Sequence, residues 1–132
     1  MTTVVDASVV FALLTDEGDD GVWAQSVTRG SHAIAPQLLP AEVANALRRA
    51  VRLGTLTPDV ATLAHYDLAD LALELFPYEP FGERVWALRE NLTAYDAWYV
   101  ALAEALEAPL ATLDDRLVRS PGPRCEFLTP AA

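Results

Sequence analysis

The chain has 132 residues, 52% of them hydrophobic, and a formal net charge of −10, with nine basic residues that are all arginine. This length suits a single domain spanning residues 1–132 that buries about two thirds of its unfolded surface, and the acidity argues against binding nucleic acid through a general positive field. A lone cysteine, Cys125, excludes a disulfide framework, a zinc spacing and a C-x-x-C redox pair. The opening MTTVVDASVV has no basic segment, and its apolar run is broken at Asp6 and again at Asp16 and Glu17. Neither a signal peptide nor a membrane span is therefore expected, no membrane partner is expected, and the expected compartment is cytoplasmic.

In chain order, Thr3–Val5 predicts a short buried strand and Ser8–Leu14 a helix, with Asp6 in the turn between them. Asp19–Thr28 predicts a second helix, acidic at its start and stopped by Gly30. His32–Ala35 predicts a strand ended by Pro36, and Pro40 suits the first position of a helix reaching Leu53, with Gly54 at its end. Thr57 is expected to cap a helix beginning at Pro58 whose apolar face carries Val60, Leu63, Ala64, Leu68, Leu71 and Ala72. These two helices form a hairpin. Leu75–Tyr78 predicts a strand, Phe81–Glu90 and Tyr95–Glu107 predict helices, and Leu110–Leu113 predicts a strand after Pro109. A helical turn over Asp115–Arg119 and a last strand near Glu126–Leu128 complete the chain. Strands alternating with helices predict an α/β fold, a mostly parallel sheet between two helical layers.

Asp6 and Asp114 end predicted strands, while Glu42 and Asp96 open predicted helices. In an open α/β sheet these positions lie along one edge, where ligands bind. Four carboxylates facing one crevice repel each other unless a cation sits among them, and oxygen donors without Cys or His favour Mg2+ or Mn2+ over zinc. Ser8 and Thr112 lie two residues from Asp6 and Asp114, where their hydroxyls can orient a carboxylate or a water. Glu42, Asn45 and Arg49 share one face of a helix that is otherwise apolar.

Each acid also has a structural reading. Asp6 suits a helix N-cap, Glu42 gains from the helix dipole, and Thr93-x-x-Asp96 matches a capping box. Asp115 is the expected cap of the turn carrying Arg116, while Asp114 comes directly off the strand, so either can be the fourth acid. Trp23, Trp86, Trp98 and Tyr99 sit at helical positions among apolar residues and are expected in a core or an interface. Arg48, Arg49 and Arg52 cluster on one helix and suit RNA phosphates or an acidic protein segment.

VVDASVVFALL, the stretch from Pro36 through PAEVANAL, YDAWYVALAEAL and PLATLDDRL, in that order and spacing, resemble the PIN domain, specifically VapC-type ribonuclease toxins of type II toxin–antitoxin pairs. The resemblance spans nearly the whole chain. It implies a three-layer α/β/α fold with five mostly parallel strands and a homodimer. It matches Asp6, Glu42, Asp96 and Asp114 to the family's acidic quartet, and Ser8, Asn45 and Thr112 to its accompanying polar positions. It also implies a small antitoxin whose tail lies across a groove near the site. An apolar hairpin edged by Arg48, Arg49 and Arg52 suits such an amphipathic, acidic-tipped peptide.

The expected activity is Mg2+-dependent endoribonuclease action on RNA, with Mn2+ as a substitute, through one metal or two. The rivals are a catalytically silent binding module of the same fold and a phosphoacceptor signalling domain. The second is disfavoured by the absence of any lysine.

Overall fold

The computed structural model describes residues 1–131. β1 (Thr2–Val5) is buried at every position after its first, the pattern of a central strand covered on both faces. It pairs in parallel with β2 (His32–Pro36) on one side and β4 (Leu110–Ala111) on the other. β3 (Leu73–Phe76) lies outside β2, and β5 (Phe127–Leu128) lies outside β4. The order β3-β2-β1-β4-β5 is parallel throughout, and its direction of progression reverses between β1 and β4. That reversal is the switch point at which such sheets open a crevice beyond their strand ends.

Seven helices link the strands among the described residues: α1 (Ala7–Thr15), α2 (Asp19–Arg29), α3 (Leu39–Arg52), α4 (Pro58–Ala69), α5 (Gly82–Ala87), α6 (Ala94–Ala105) and α7 (Asp115–Arg119). One continuous core joins sheet residues Val4, Val5, Ile34 and Leu110 to helix residues Val9, Leu39, Val43, Val100 and Leu102, all fully buried. At about 25 cal/mol per Å² of apolar surface, this burial is the main force holding helices to sheet. Gly54, just past the Leu53 cap that ends α3, has a φ of 78°, a left-handed value that glycine adopts without a Cβ clash. No helix among the described residues is long and apolar enough to cross a membrane.

Most predicted elements are present, with four differences. β3 begins at Leu73, two residues before its predicted start, because it pairs with β2 from Ala33 onward. It stops at Phe76 because Pro77 has no N–H to continue the ladder. The predicted helix Phe81–Glu90 is a 3₁₀ turn (Glu79–Phe81) followed by the short α5. After Ala87, the N–H groups of Arg89 and Asn91 bond to carbonyls three residues back, tightening the chain out of α-helix.

β4 is two residues long because Leu113 gives its N–H to the Ser8 hydroxyl instead of a neighbouring strand. On α4 the buried face is Ala61, Ala64 and Leu68, whereas Val60 and Leu63 are exposed and Leu71 and Ala72 lie beyond the helix. The hairpin thus keeps apolar surface on its outer side.

Candidate active site

Asp6 leaves the end of β1 and caps α1, its Oδ1 accepting the Val9 N–H at 3.1 Å. The same oxygen accepts the Ser8 hydroxyl at 2.5 Å, and Oδ2 accepts the Thr112 hydroxyl. Each hydroxyl is itself held from the chain beyond β4: the Leu113 N–H donates to Ser8 Oγ, and the Asp114 N–H donates to Thr112 Oγ1, both at 3.0 Å. Two hydroxyls therefore clamp the carboxylate between strand ends that pair side by side. Asp6 is only 7% exposed. Burial pushes its carboxyl above the ordinary range, and the Ser8, Thr112 and backbone hydrogen bonds hold that rise in check.

Glu42 sits in the first turn of α3, where the helix dipole favours its charge. Its Oε1 accepts the Tyr99 hydroxyl at 2.7 Å. Burial raises its carboxyl, the Tyr99 hydrogen bond opposes the rise, and the charges of Asp96 and Asp6 add to it. Tyr99 is 3% exposed. Burial, with the charges of Glu42, Asp6 and Asp96 around it, drives its phenol far above its ordinary range, so it stays a hydrogen-bond donor. Predicted as core or interface, Tyr99 lies in the core but also reaches the site. The signal was its spacing: three residues after Asp96, it shares that residue's face of α6.

Asp96 opens α6, and its N–H donates to the Thr93 hydroxyl at 3.2 Å, which makes half of the expected capping box. The reciprocal bond from its carboxylate is absent among the described residues. Burial raises this carboxyl first, Asp114 raises it further, and Arg116 opposes the rise.

Asp114, not Asp115, is the N-cap of α7: its Oδ1 accepts the N–H groups of Arg116 at 3.0 Å and Leu117 at 3.3 Å. The expectation that Asp115 caps this turn is corrected. Thr112 fixes the chain as it leaves β4 and so puts Asp114 in the capping position, while Asp115 falls on the exposed side. Arg116 Nη2 stands 3.7 Å from Asp114 Oδ2 and 3.9 Å from Asp96 Oδ2.

The acids thus converge on the crevice at the switch point. Asn45, one turn after Glu42 on α3, is exposed and makes no hydrogen bond among the described residues. Among those residues, no three acidic, histidine or cysteine side chains gather closely enough to hold one ion as they stand. The donors are nevertheless all hard oxygens, and burial, with the neighbouring acids adding to it, keeps Glu42 and Asp96 above the ordinary carboxylate range. That chemistry fits a divalent cation such as Mg2+ or Mn2+, provided side chains rotate to meet it.

A groove of 690 Å³ runs between α3 and α4, lined by apolar Leu47, Val51, Ala61 and Pro58, with Arg48 and Arg52 on its rim. Arg49, predicted to join them, falls outside its lining. Trp86 is 67% exposed beneath the Arg89 guanidinium, 4.7 Å from its ring centre, and belongs to no core.

Residues 3–122 match the sequence profile of the family described as PIN domain. The chain is 43% identical over 125 residues to Ribonuclease VapC1 of Mycobacterium tuberculosis, covering 94% of each chain. Among solved structures it resembles PAE2754 from Pyrobaculum aerophilum, with a TM-score of 0.73 at 23% identity over 96% of this chain and 83% of that one. It also resembles VapBC-5 from Mycobacterium tuberculosis, a member of the VapBC family of toxin-antitoxin systems, with a TM-score of 0.57 at 22% identity over 97% and 96% of the two chains.

Proposed function

The chain belongs to the PIN-domain family, and from that premise we propose that it is a metal-dependent endoribonuclease acting as the toxin of a toxin–antitoxin pair in the cytoplasm. The observation that carries this reading is the convergence of Asp6, Glu42, Asp96 and Asp114 at the sheet's switch point. Asp6, Asp96 and Asp114 would hold Mg2+ or Mn2+, and Glu42 would hold it or orient the attacking water. A bound cation supplies Lewis acidity and a more acidic water.

The rest is done by the protein's own groups. The Ser8 and Thr112 hydroxyls fix Asp6 in one rotamer. Tyr99 fixes Oε1 of Glu42, and burial raises that carboxyl above its ordinary range, the direction that favours taking a proton from water. Attack by water, without the ribose 2′-OH, leaves a 5′-phosphate and a 3′-hydroxyl.

The α3–α4 groove supports a small antitoxin partner, because its apolar floor and its Arg48 and Arg52 rim complement an amphipathic segment with acidic ends. Exposed Val60, Leu63 and Trp86 offer apolar area for the homodimer, which sedimentation of the purified protein tests.

The deciding experiment is cleavage of a total-RNA pool with Mg2+ or Mn2+, with EDTA, and with an Asp96→Asn variant purified identically. Metal-dependent cutting that disappears in the variant is expected; equal activity in both proteins, or none in either, would sink the reading. That no three acidic side chains, among the described residues, gather closely enough to hold one ion as they stand is the observation that favours the alternative of a silent binding module. Failure of the wild type to bind Mn2+ would select that alternative.

A further inference from the structure

Arg116 is the basic side chain within 4.0 Å of the candidate acids among the described residues. Its backbone is fixed, since its N–H donates to Asp114 Oδ1 at the start of α7. Its guanidinium is not. The side chain is 78% exposed, and Nη2 lies 3.7 and 3.9 Å from the two carboxylates, beyond hydrogen-bond range. Arg84 shows what a committed pair looks like here, its fork reaching Glu104 at 2.7 and 3.2 Å. An exposed pair at the longer distance contributes little, so Arg116 is easily drawn away.

We propose that Arg116 is a two-position cation of this site: in the free protein it lies over Asp96 and Asp114, and with substrate it turns to grip an RNA phosphate. The proposal rests on the ribonuclease reading above and adds to it the residue that receives the substrate's charge.

A phosphate entering a crevice lined by four acids, on a chain of net charge −10, must meet a cation supplied by the protein as well as any bound ion. The other arginines placed by a contact are engaged elsewhere: Arg84 on Glu104, Arg89 on Trp86, and Arg48 and Arg52 at the α3–α4 groove. Among the described residues Arg116 is the arginine with a contact to these acids, and it joins that proximity to freedom and a planar fork that matches phosphate oxygens. Its charge and a divalent cation also draw on the same two carboxylates. Removing that charge should therefore strengthen metal binding while weakening RNA binding, opposite signs that a merely structural role would not produce.

The test compares wild type, Arg116→Gln and Arg116→Lys, all exposed changes that leave the backbone hydrogen bond in place. Mn2+ affinity of the protein alone is read by titration calorimetry, at a pH where the acids are ionised. Cleavage of a single-stranded RNA with Mg2+ is followed over a range of salt.

Arg116→Gln is expected to bind Mn2+ roughly three- to tenfold more tightly and to raise KM roughly tenfold with a smaller change in kcat. Its dependence of log KM on log salt should be shallower by about 0.7. Arg116→Lys should recover the Mn2+ affinity and the salt slope but less of the KM, because an ammonium lacks the fork. A wild type that cuts RNA beside a glutamine variant with unchanged KM or unchanged Mn2+ affinity overturns the role of Arg116 and leaves the ribonuclease reading standing. A wild type that neither binds Mn2+ nor cuts RNA overturns both.

Discussion

Thr112 donates its hydroxyl to Asp6 Oδ2 across 106 positions of sequence, in a buried bond that ties the end of β4 to the end of β1. The Thr112 hydroxyl oxygen in turn accepts the Asp114 N–H, so one threonine sets the rotamer of the first acid and the path of the chain to the fourth.

Thr112→Val keeps the shape of the side chain but leaves a buried carboxylate oxygen and the Asp114 N–H without their partner. The expected cost is about 1–3 kcal/mol in urea unfolding, with RNA cleavage reduced. Thr112→Ser, which restores the hydroxyl, should recover most of both; a valine variant of unchanged stability would count against the clamp.

Tyr99→Phe removes the hydrogen bond that holds Glu42 down against burial and its acidic neighbours. The Glu42 carboxyl should then titrate at still higher pH, and the acid limb of the cleavage profile should move the same way. Stability should fall by about 1 kcal/mol. Carboxyl titration by NMR in the two proteins measures the shift directly, and coincident curves would contradict it.

Asp6, Glu42 and Asp96 all titrate above their ordinary values of 3.8, 4.5 and 3.8. The folded state therefore binds these protons more tightly than the unfolded state, so their destabilising effect is absent below those values and grows as pH rises through the raised ones. Asp96→Asn should raise the metal-free Tm near neutral pH by about 2–5 °C, with little change in acid. Divalent cation should raise the Tm of wild type more than that of the variant. Thermal scans at two pH values, with and without Mn2+, decide the matter.

Glu104 behaves in the opposite way. Burial pushes its carboxyl up, but hydrogen bonds from Arg84 and the Arg124 N–H, with the charges of both arginines, hold it below the ordinary value of 4.5. Its stabilisation is present above that value and is lost as pH falls through the lowered one. Glu104→Gln should cost about 1 kcal/mol at neutral pH, nearly nothing in strong acid, and leave RNA cleavage intact. A loss of equal size at both pH values would rule out the ionic contribution.

Arg48→Glu combined with Arg52→Glu reverses the rim of the α3–α4 groove without touching the acids. Binding of an acidic amphipathic antitoxin segment should weaken at least tenfold, while cleavage by the free protein is unchanged. Unaltered binding would place the partner elsewhere.

The amino-acid sequence by itself determined the alternation of strands and helices and the position of each acid at a strand end or a helix start. Buried strands read as apolar runs, and caps such as Thr57 and Thr93 act within four residues, so both are legible over short windows. Where local signals ran out, tertiary structure decided. β3 took its ends from its register with β2 and from Pro77, and Asp114 displaced Asp115 as the cap because Thr112 was already held by Asp6.

Tyr99 reaches Glu42 across 57 positions, and Arg116 stands over Asp96 and Asp114 only once α6 and α7 are packed at the same edge. Periodicity tells which face of a helix is apolar. It cannot tell which hydroxyl, phenol or guanidinium will arrive from another element, because that depends on strand register and helix packing, which fix distances between residues far apart in the chain.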